Sequence, residues 1–280
     1  MKKSLSLSLV IPVYNEEHHL KACLDAIAGQ TEMPNEVIVV DNNSTDGSQD
    51  IALGYSFVKL VHESKPGVLA ARNKGFSVAK SDIIGRIDAD TILTPNWCKH
   101  VKARFASSDV AALTGPTYWY DMPFAPHNYH LDNVLRSSLF YLPKDFPWLF
   151  GTNMAVRASA WKTIEKELCE DKRVFEDLDI GIHLDRHGFS IGYSRKMRVG
   201  MSSRRYDDSP KDFFDYISTY KSSYSAHNMN PMGSSIAAAI YSFGYFALWP
   251  LRQSYDDRTK TRSIKHLFSG RNKARKNPMI

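Results

Sequence analysis

Acidic side chains mark the place in this 280-residue chain where chemistry is most easily located. Asp88-Ala89-Asp90 sets two carboxylates two residues apart, so both lie on the same side of an extended strand end. Hard oxygen ligands of this kind suit Mg²⁺ or Mn²⁺, with substrate phosphates completing the coordination shell. The alternative is an aspartate that caps a following helix. Because the pair ends an apolar strand, we favour the metal.

The elements that must position these carboxylates are strands and helices in alternation. Apolar runs at 5–13, 36–40, 58–62 and 82–88 are typical of buried parallel strands, and amphipathic helical spacing separates them. The pattern predicts an α/β, Rossmann-like, mostly parallel sheet flanked by helices. Ligands bind beyond the carboxyl ends of such strands. The polar residues there are Tyr14, Asn15, Glu16, Asp41, Asn42, Ser44, Asp46, Asp88 and Asp90.

The composition excludes disordered, collagen-like and low-complexity proteins. Hydrophobic residues make up 43% and charged residues 24%, which is ordinary globular usage. Three cysteines without metal-type spacing indicate a reducing compartment. The net charge of +6 is concentrated from Arg252 onward, where nine Lys/Arg face two Asp/Glu. A nearly neutral body argues against nucleic acid as a partner, whereas the basic tail suits an anionic membrane surface.

Two motifs that would have pointed elsewhere are missing. No Gly-rich phosphate loop follows the first strand, which disfavours P-loop and dinucleotide-dependent enzymes. The amino-terminal segment has serines alternating with leucines instead of a signal peptide's apolar run, so export is not expected.

Four motifs occur in a fixed order. They are VIPVYNE at 10–16, VVDNNSTDG at 39–47, GVLAARNKG at 67–75 and DAD at 88–90. Together they resemble the family 2 glycosyltransferases, which have the GT-A fold. The resemblance implies inverting transfer from a nucleotide-diphosphate sugar, with a UDP-sugar favoured, assisted by a divalent cation (Mg²⁺ or Mn²⁺).

The resemblance also implies roles for individual residues on the donor side. Pro12, Tyr14 and Glu16 would border the donor nucleotide. Asp41 and Asn42 would contact its base. Arg72 would face the ribose and the diphosphate. Asp88 would serve ribose and metal, and Asp90 would ligate the metal directly.

Inverting displacement requires one base to take the proton of the acceptor hydroxyl. Glu176-Asp177 resembles the family's E-D motif, which makes Asp177 the base, with Glu176 and Asp179 as alternatives. These acids are expected to open a helix, whose dipole favours a carboxylate anion. The segment beginning Gly151-Thr152-Asn153 resembles the family's strand near the donor sugar and acceptor, although a plain turn and strand would have the same pattern.

Further features concern the acceptor. Arg204 and Arg205 could clamp a diphosphate or a phosphorylated acceptor, although a solvated basic turn is an equal alternative. The aromatic segment 118–150 could contact a sugar or fill a core. His183 and His187 are interpreted as surface or core histidines, and no histidine stands out as a third metal ligand. The family's Q-x-x-R-W signature of processive synthases is missing, which favours transfer of a single sugar.

The segment 235–251 is uncharged and followed by the basic tail. A helix on the membrane surface, a membrane span and a buried or dimer helix compete. A cytoplasmic protein attached peripherally to the inner face of the membrane is preferred. We therefore expect a catalytic domain at 1–230, with a nucleotide-sugar half at 1–115 and an acceptor half at 116–230. Residues 231–280 would associate with the membrane. A glycan or lipid-linked acceptor in cell-envelope synthesis fits; the rivals are a nucleotidyltransferase and a catalytically silent adaptor.

Overall fold

The computed structural model describes residues 5–125, 127–141, 148–171, 173–230, 232–256 and 259–267. Strands and helices alternate along the first third, as predicted. The strands are β1 (Leu7–Val13), β2 (Glu36–Asp41), β3 (Val58–His62), β4 (Ile83–Arg86), β5 (Ile92–Leu93), β6 (Ala112–Thr114), β7 (Thr117–Trp119), β8 (Met154–Arg157), β9 (Ile191–Tyr193), β10 (Val199–Met201), β11 (Tyr255–Asp256) and β12 (Thr261–Arg262). The helices are α1 (Leu20–Ala28), α2 (Ser48–Leu53), α3 (Val68–Val78), α4 (Trp97–Ser107), α5 (Tyr129–Tyr141), α6 (Ala158–Ile164), α7 (Glu176–Arg186), α8 (Pro210–Ala226), α9 (Met232–Gln253) and α10 (Ile264–Leu267).

A seven-stranded sheet lies at the centre, in the order β3-β2-β1-β4-β8-β6-β9. Strands β3, β2, β1 and β4 run parallel. Strand β8 is antiparallel to both β4 and β6, and β9 is parallel to β6. The predicted mostly parallel sheet is confirmed, and the later part of the chain completes it.

Two apolar cores cover the faces of this sheet. Leu7, Leu9 and Ile11 of β1 pack with α1 and α4 on one face. Val10 packs on the other face with α3, α6 and α7. Burial on both faces explains why the central strands β1 and β2 are mainly apolar.

A smaller sheet of β5, β10 and β7 extends the edge where the acidic pair lies. Strand β5 begins two residues after Asp90, and β10 pairs with it in antiparallel fashion, Gly200 opposite Ile92. This pairing brings the segment after β10, with Arg204 and Arg205, beside the acidic pair.

The C-terminal helices α8 and α9 pack against each other through aromatic side chains. Pro210 starts α8, and the Ser209 hydroxyl caps it by accepting the Asp212 N–H. Tyr245 of α9 is buried 4.3 Å, centroid to centroid, from the Phe213 ring. The predicted apolar helix at 235–251 is confirmed as part of α9. None of the helices in the described ranges combines the length and apolarity needed to cross a bilayer.

Arg252, which opens the predicted basic tail, is fully buried rather than exposed. Its guanidinium forms ion pairs with Asp121 at 3.0 Å and Asp207 at 2.6 Å. The carboxylates of Asp121 and Asp207 are removed from water, and burying them is favourable only with a cation beside them. This requirement explains why Arg252 is buried. The tail residues at 257–258 and 268–280 lie outside the described residues.

Candidate active site

A pocket of about 250 Å³ opens where the carboxyl ends of the parallel strands face α7, α8 and α9. Most of the residues singled out from the sequence line it. They are Pro12, Tyr14, Glu16, Asn42, Asp88, Asp90, Gly151, Thr152, Glu176, Asp177, Arg204 and Arg205. Asp41, Arg72 and Asn153 do not line it. The fold therefore brings the donor-side motifs and the acidic start of α7 together, although about 90 residues separate them in sequence.

The acidic pair lies on one side of the pocket with its charges balanced by arginines. The Asp88 carboxylate is 2.9 Å from Arg86 Nη2 and accepts the Thr152 hydroxyl at 2.8 Å. Asp90 is buried, and its Oδ2 lies 2.9 Å from Arg204 Nε. That Nε makes no hydrogen bond within geometric limits, so its contact with Asp90 is an undirected charge contact.

Arg204 spans the pocket and Arg205 turns aside. The Arg204 guanidinium donates to both carboxylate oxygens of Glu16 while contacting Asp90. The Arg205 guanidinium stacks 3.9 Å from the Tyr216 ring centroid and donates to Asp208 at 3.0 Å. Two adjacent arginines thus line the same pocket with different partners, and Arg204 is the one that contacts the acidic pair.

Asp177 stands in the first turn of α7 and lines the same pocket as the donor motifs. Its Oδ2 accepts the Gly151 N–H at 2.6 Å, and its Oδ1 accepts the Leu178 N–H at 2.8 Å. Burial and the neighbouring Glu176 carboxylate raise its pKa to about 6, against the lowering effect of Arg86 and the two N–H groups. A carboxylate with a pKa near neutrality is suited to act as a general base.

The two alternatives to Asp177 have other partners. Glu176 is buried in the pocket wall, and its Oε1 lies 3.0 Å from Arg86 Nη2. Asp179 is fully buried on a different side of α7, where it contacts His227 at 2.8 Å. Asp179 does not line the pocket.

Arg86 is a site residue that the sequence analysis missed. Its buried guanidinium bridges Asp88 and Glu176, so it joins the acidic pair to the start of α7. It also explains Gly151, since a Cβ there would lie 1.3 Å from Arg86 Nη1. The available signal was a charged residue inside the otherwise apolar strand sequence IIGR, at a position where burial demands a partner.

The structure places Arg72, Asn42 and Asp41 in supporting contacts. Arg72 is fully buried, donates to the Glu176 carbonyl at 3.1 Å and packs 5.3 Å from the Trp161 ring centroid. Burial lowers its pKa to about 10, which keeps it charged at neutral pH. The Asn42 amide donates to the Glu63 and Lys65 carbonyls and accepts the Gly67 N–H.

Asp41 and Asn153 are likewise committed within the protein. Asp41 accepts hydrogen bonds from the Ser44 N–H and the Gln49 amide. Asn153 accepts the Trp97 indole N–H at 2.9 Å and donates to the Met197 carbonyl at 2.6 Å. Because its amide is fully buried and paired on both ends, Asn153 fixes the short helix at 151–153 beneath the pocket.

Aromatic side chains form the remaining wall. Trp119 and Phe150 come from the predicted aromatic segment 118–150, and others come from α8 and α9. The rings of Tyr220 and Tyr241 stack with 5.9 Å between centroids. The α8 and α9 members were not predicted for the site, although helical spacing between Phe213, Tyr216 and Tyr220 was visible. Besides Tyr14, the aromatic residues that line the pocket are Trp119, Phe150, Phe175, Tyr206, Phe213, Tyr216, Tyr220 and Tyr241.

A sheet of this order, with an acidic pair at its carboxyl edge and a half-buried aspartate across the pocket, defines the class of GT-A glycosyltransferase folds. The family model described as "Glycosyl transferase family 2" matches residues 8–168. The chain belongs to glycosyl transferase family 2. Asp177, Arg204 and Arg205 lie beyond the matched residues, so the family model does not bear on their roles.

Similar proteins agree with this assignment. Glycosyltransferase GlyG of Streptococcus pneumoniae is 34% identical over 120 residues, 41% of this chain and 40% of that protein. Glycosyltransferase AglE of Haloferax volcanii is 32% identical over 116 residues, 39% of this chain and 38% of that protein. The matched segments span less than half the length of these relatives.

Solved structures share the fold. The mannosyltransferase PcManGT from Pyrobaculum calidifontis, in complex with GDP-Man and Mn²⁺, has a TM-score of 0.59 at 19% identity, covering 96% of this chain and 86% of its own. S. aureus TarS 1-349, in complex with UDP-GlcNAc, has a TM-score of 0.57 at 19% identity, covering 76% and 64%. These likenesses confirm the predicted fold.

Proposed function

We propose that this protein transfers a single sugar, with inversion, from a nucleotide-diphosphate sugar to a hydroxyl group, with Asp177 as the base. The observation that carries this proposal is that Asp177 shares one pocket with the acidic pair while its pKa lies near 6. A base on the side opposite the leaving group is what direct displacement requires.

The reaction forms one bond and breaks one. The acceptor oxygen bonds to the anomeric carbon, the bond from that carbon to the diphosphate oxygen breaks, and the acceptor proton passes to Asp177. The N–H groups of Gly151 and Leu178 hold the Asp177 carboxylate in place while leaving lone pairs for that proton. Arg86 fixes Asp88 and Glu176, and Arg204 and Arg205 supply N–H donors near the diphosphate.

A divalent cation fits the donor set on the acidic side. Asp88 and Asp90 offer hard carboxylate oxygens, and the Arg204 contact with Asp90 lacks hydrogen-bond direction, so a cation can compete for that carboxylate. Asp88 and Asp90 are therefore the residues that would hold Mg²⁺ or Mn²⁺. When bound, such an ion would stabilise the charge developing on the diphosphate.

A UDP-sugar is the donor we favour, because solved structures of this fold carry UDP-GlcNAc or UDP-Glc, although one carries GDP-Man. The catalytic unit expected at 1–230 also uses α9, because Tyr241 completes the aromatic wall of the pocket. Sugar C–H faces stack on aromatic rings, which supports acceptor or sugar binding there.

We also propose that residues 231–280 attach the protein to the cytoplasmic face of a membrane, where a lipid-linked acceptor in cell-envelope glycan synthesis would be found. The outer face of α9 supports this, since Phe243, Phe246 and Trp249 are 79%, 64% and 43% exposed. Such a face suits an interfacial helix that does not cross the bilayer.

A thermal-shift panel of UDP, GDP, dTDP and CDP, with and without Mn²⁺, tests the donor site in wild type and Asp90→Ala. A ligand at a hundred times its dissociation constant adds about 2.7 kcal/mol to the unfolding free energy. We expect a Mn²⁺-dependent rise with one nucleotide, and its loss in Asp90→Ala. No shift with any nucleotide would overturn the transferase and favour a silent adaptor.

A further inference from the structure

Four side chains with metal-binding atoms meet outside the pocket. One such atom from each of Cys169, Asp179, His183 and His227 lies within 4.8 Å of the others. Asp179, His183 and His227 are buried, and Cys169 is partly exposed. Asp179 and His183 stand four residues apart on α7, so both project from one helix face. Cys169 precedes α7 in the chain, and His227 follows the last turn of α8.

His227 is oriented toward the centre of this cluster by its own helix. Its Nδ1 lies 2.9 Å from the Ser223 carbonyl, one turn earlier, so that nitrogen carries the proton and donates it. The Nε2 then faces inward, 2.8 Å from Asp179 Oδ1 and 3.8 Å from Cys169 Sγ. Metal-binding histidines commonly donate their second ring N–H to a backbone carbonyl in this way.

His183 supplies a second, independent observation. Its side chain is only 10% exposed, and its Nε2 makes no hydrogen bond. That nitrogen points into the cluster, 3.4 Å from Asp179 Oδ1, while Nδ1 lies 3.5 Å from the Glu167 carboxylate. A buried ring nitrogen without a hydrogen bond is costly, and a bound cation would satisfy it.

We propose that Cys169, Asp179, His183 and His227 form a structural zinc site. One thiolate, two imidazoles and one carboxylate are the ligand types that Zn²⁺ accepts in tetrahedral sites, and four protein ligands leave no open position. Binding would replace the hydrogen bond between His227 and Asp179 and release the thiol proton of Cys169. The all-oxygen pair Asp88 and Asp90 selects harder cations, so the two sites take different metals.

The site would lock together two elements of the pocket. Helix α7 begins with Glu176 and Asp177 in the pocket and carries two of the ligands. Helix α8 presents Tyr216 and Tyr220 to the pocket and ends at His227. A zinc ion here would hold the base and the aromatic wall in a fixed relation without contacting substrate.

The test measures bound metal in the full-length protein, independently of any sugar transfer. After exposure to Zn²⁺ and dialysis, the wild type should retain one equivalent, and so should Asp90→Ala. Cys169→Ser, His183→Gln and His227→Gln should each lose it. His187→Gln is the matched control, because it removes an imidazole near the same helix end whose partner is Glu167 and not the cluster.

Cobalt substitution keeps the test valid if a variant folds poorly. The Co²⁺ form of the wild type should show tetrahedral d–d absorption and a thiolate charge-transfer band. Cys169→Ser, the mildest change, should lose the charge-transfer band while circular dichroism shows an intact fold. Failure of the wild type to retain Zn²⁺, or full retention by both His183→Gln and His227→Gln, would overturn the proposal. Either result leaves the donor-site experiment with Mn²⁺ unaffected.

Discussion

The donor edge and the aromatic wall of the pocket are built in different ways. At the donor edge, polar side chains such as Asn42 and Asp41 are tied to the backbone or side chains of nearby loops in the same half of the chain. At the wall, Tyr220 stacks on Tyr241 from another helix and packs 4.6 Å, centroid to centroid, from Phe175, which lies 45 residues earlier in the chain. Contacts between residues close in sequence can be predicted from short motifs. Contacts between distant segments, such as those of the wall, become visible only in the folded structure.

The largest loss of activity is expected from substitution of the proposed base, Asp177. Asp177→Asn removes the proton acceptor, so kcat should fall by about 10²–10⁴-fold. Donor binding in a thermal-shift assay should be unchanged, because Asp177 does not contact the donor-edge loops. Asp185→Asn, an exposed acid on the same helix, is the control. Equal loss in both variants would contradict the assignment of the base.

The pH dependence of turnover is a second test of Asp177 as the base. Asp177 must be ionised to take a proton, and its raised pKa of about 6 means that it is protonated below that pH. Activity should therefore fall roughly tenfold per pH unit below about 6. A rate profile that stays flat down to pH about 4, the ordinary aspartate value, would contradict the raised pKa of this carboxylate.

Gly151→Ala tests the bridge between the regions. The new Cβ would meet Arg86 Nη1 at 1.3 Å, so Arg86 must leave Asp88 or Glu176. Overpacking of this kind costs about 1–3 kcal/mol of unfolding free energy, and activity should fall with it. Gly29→Ala, whose nearest contact would be at 3.5 Å, should be nearly neutral in a denaturation experiment.

Tyr241→Ala should affect the wall alone. Loss of the ring that stacks on Tyr220 should raise the acceptor KM about tenfold, close to the upper range for an aromatic pair. Donor affinity should not change. Tyr241→Phe keeps the ring and should behave nearly as wild type in initial-rate measurements; a donor-side defect in either variant would undo the separation of the two regions.

The smallest effect on the enzyme itself is expected on the outer face of α9. Phe243→Ser with Phe246→Ser should change the unfolding free energy by only about 0.5 kcal/mol or less, since both side chains are exposed. Flotation with anionic vesicles should nevertheless be lost. Leu53→Ser, which removes an exposed apolar side chain from α2, is the control and should float as wild type does.

The mostly parallel sheet could be predicted because mainly apolar strands, each followed by polar residues, alternate with amphipathic helices. The order of the strands was not predicted. The positions of Asp88, Asp90 and Asp177 followed from the same logic and from family motifs. Arg72 shows the limit: a helical arginine in a motif looks like a ligand contact, but its buried partner, the Glu176 carbonyl, comes from 104 residues away.

Other parts of the site depend on tertiary contacts that no local pattern reports. Arg86 could not be assigned to the site from the sequence, because its role depends on its two carboxylate partners, Asp88 and Glu176. His183 looked like an ordinary helix histidine, since its neighbours Cys169 and His227 lie 14 and 44 residues away along the chain. Arg252 was counted with the tail because its partners, Asp121 and Asp207, lie 131 and 45 residues away along the chain.

The buried Arg252 makes the C-terminal helix more than a removable anchor. Asp121, which it neutralises, also accepts the Ser202 hydroxyl and the Ser203 N–H, immediately before Arg204 of the pocket. A protein shortened before residue 252 would lose the positive charge that pairs with Asp121 and Asp207. The turn that positions Arg204 would then be less well ordered. Solubility gained by trimming this helix would therefore come with a misaligned donor site.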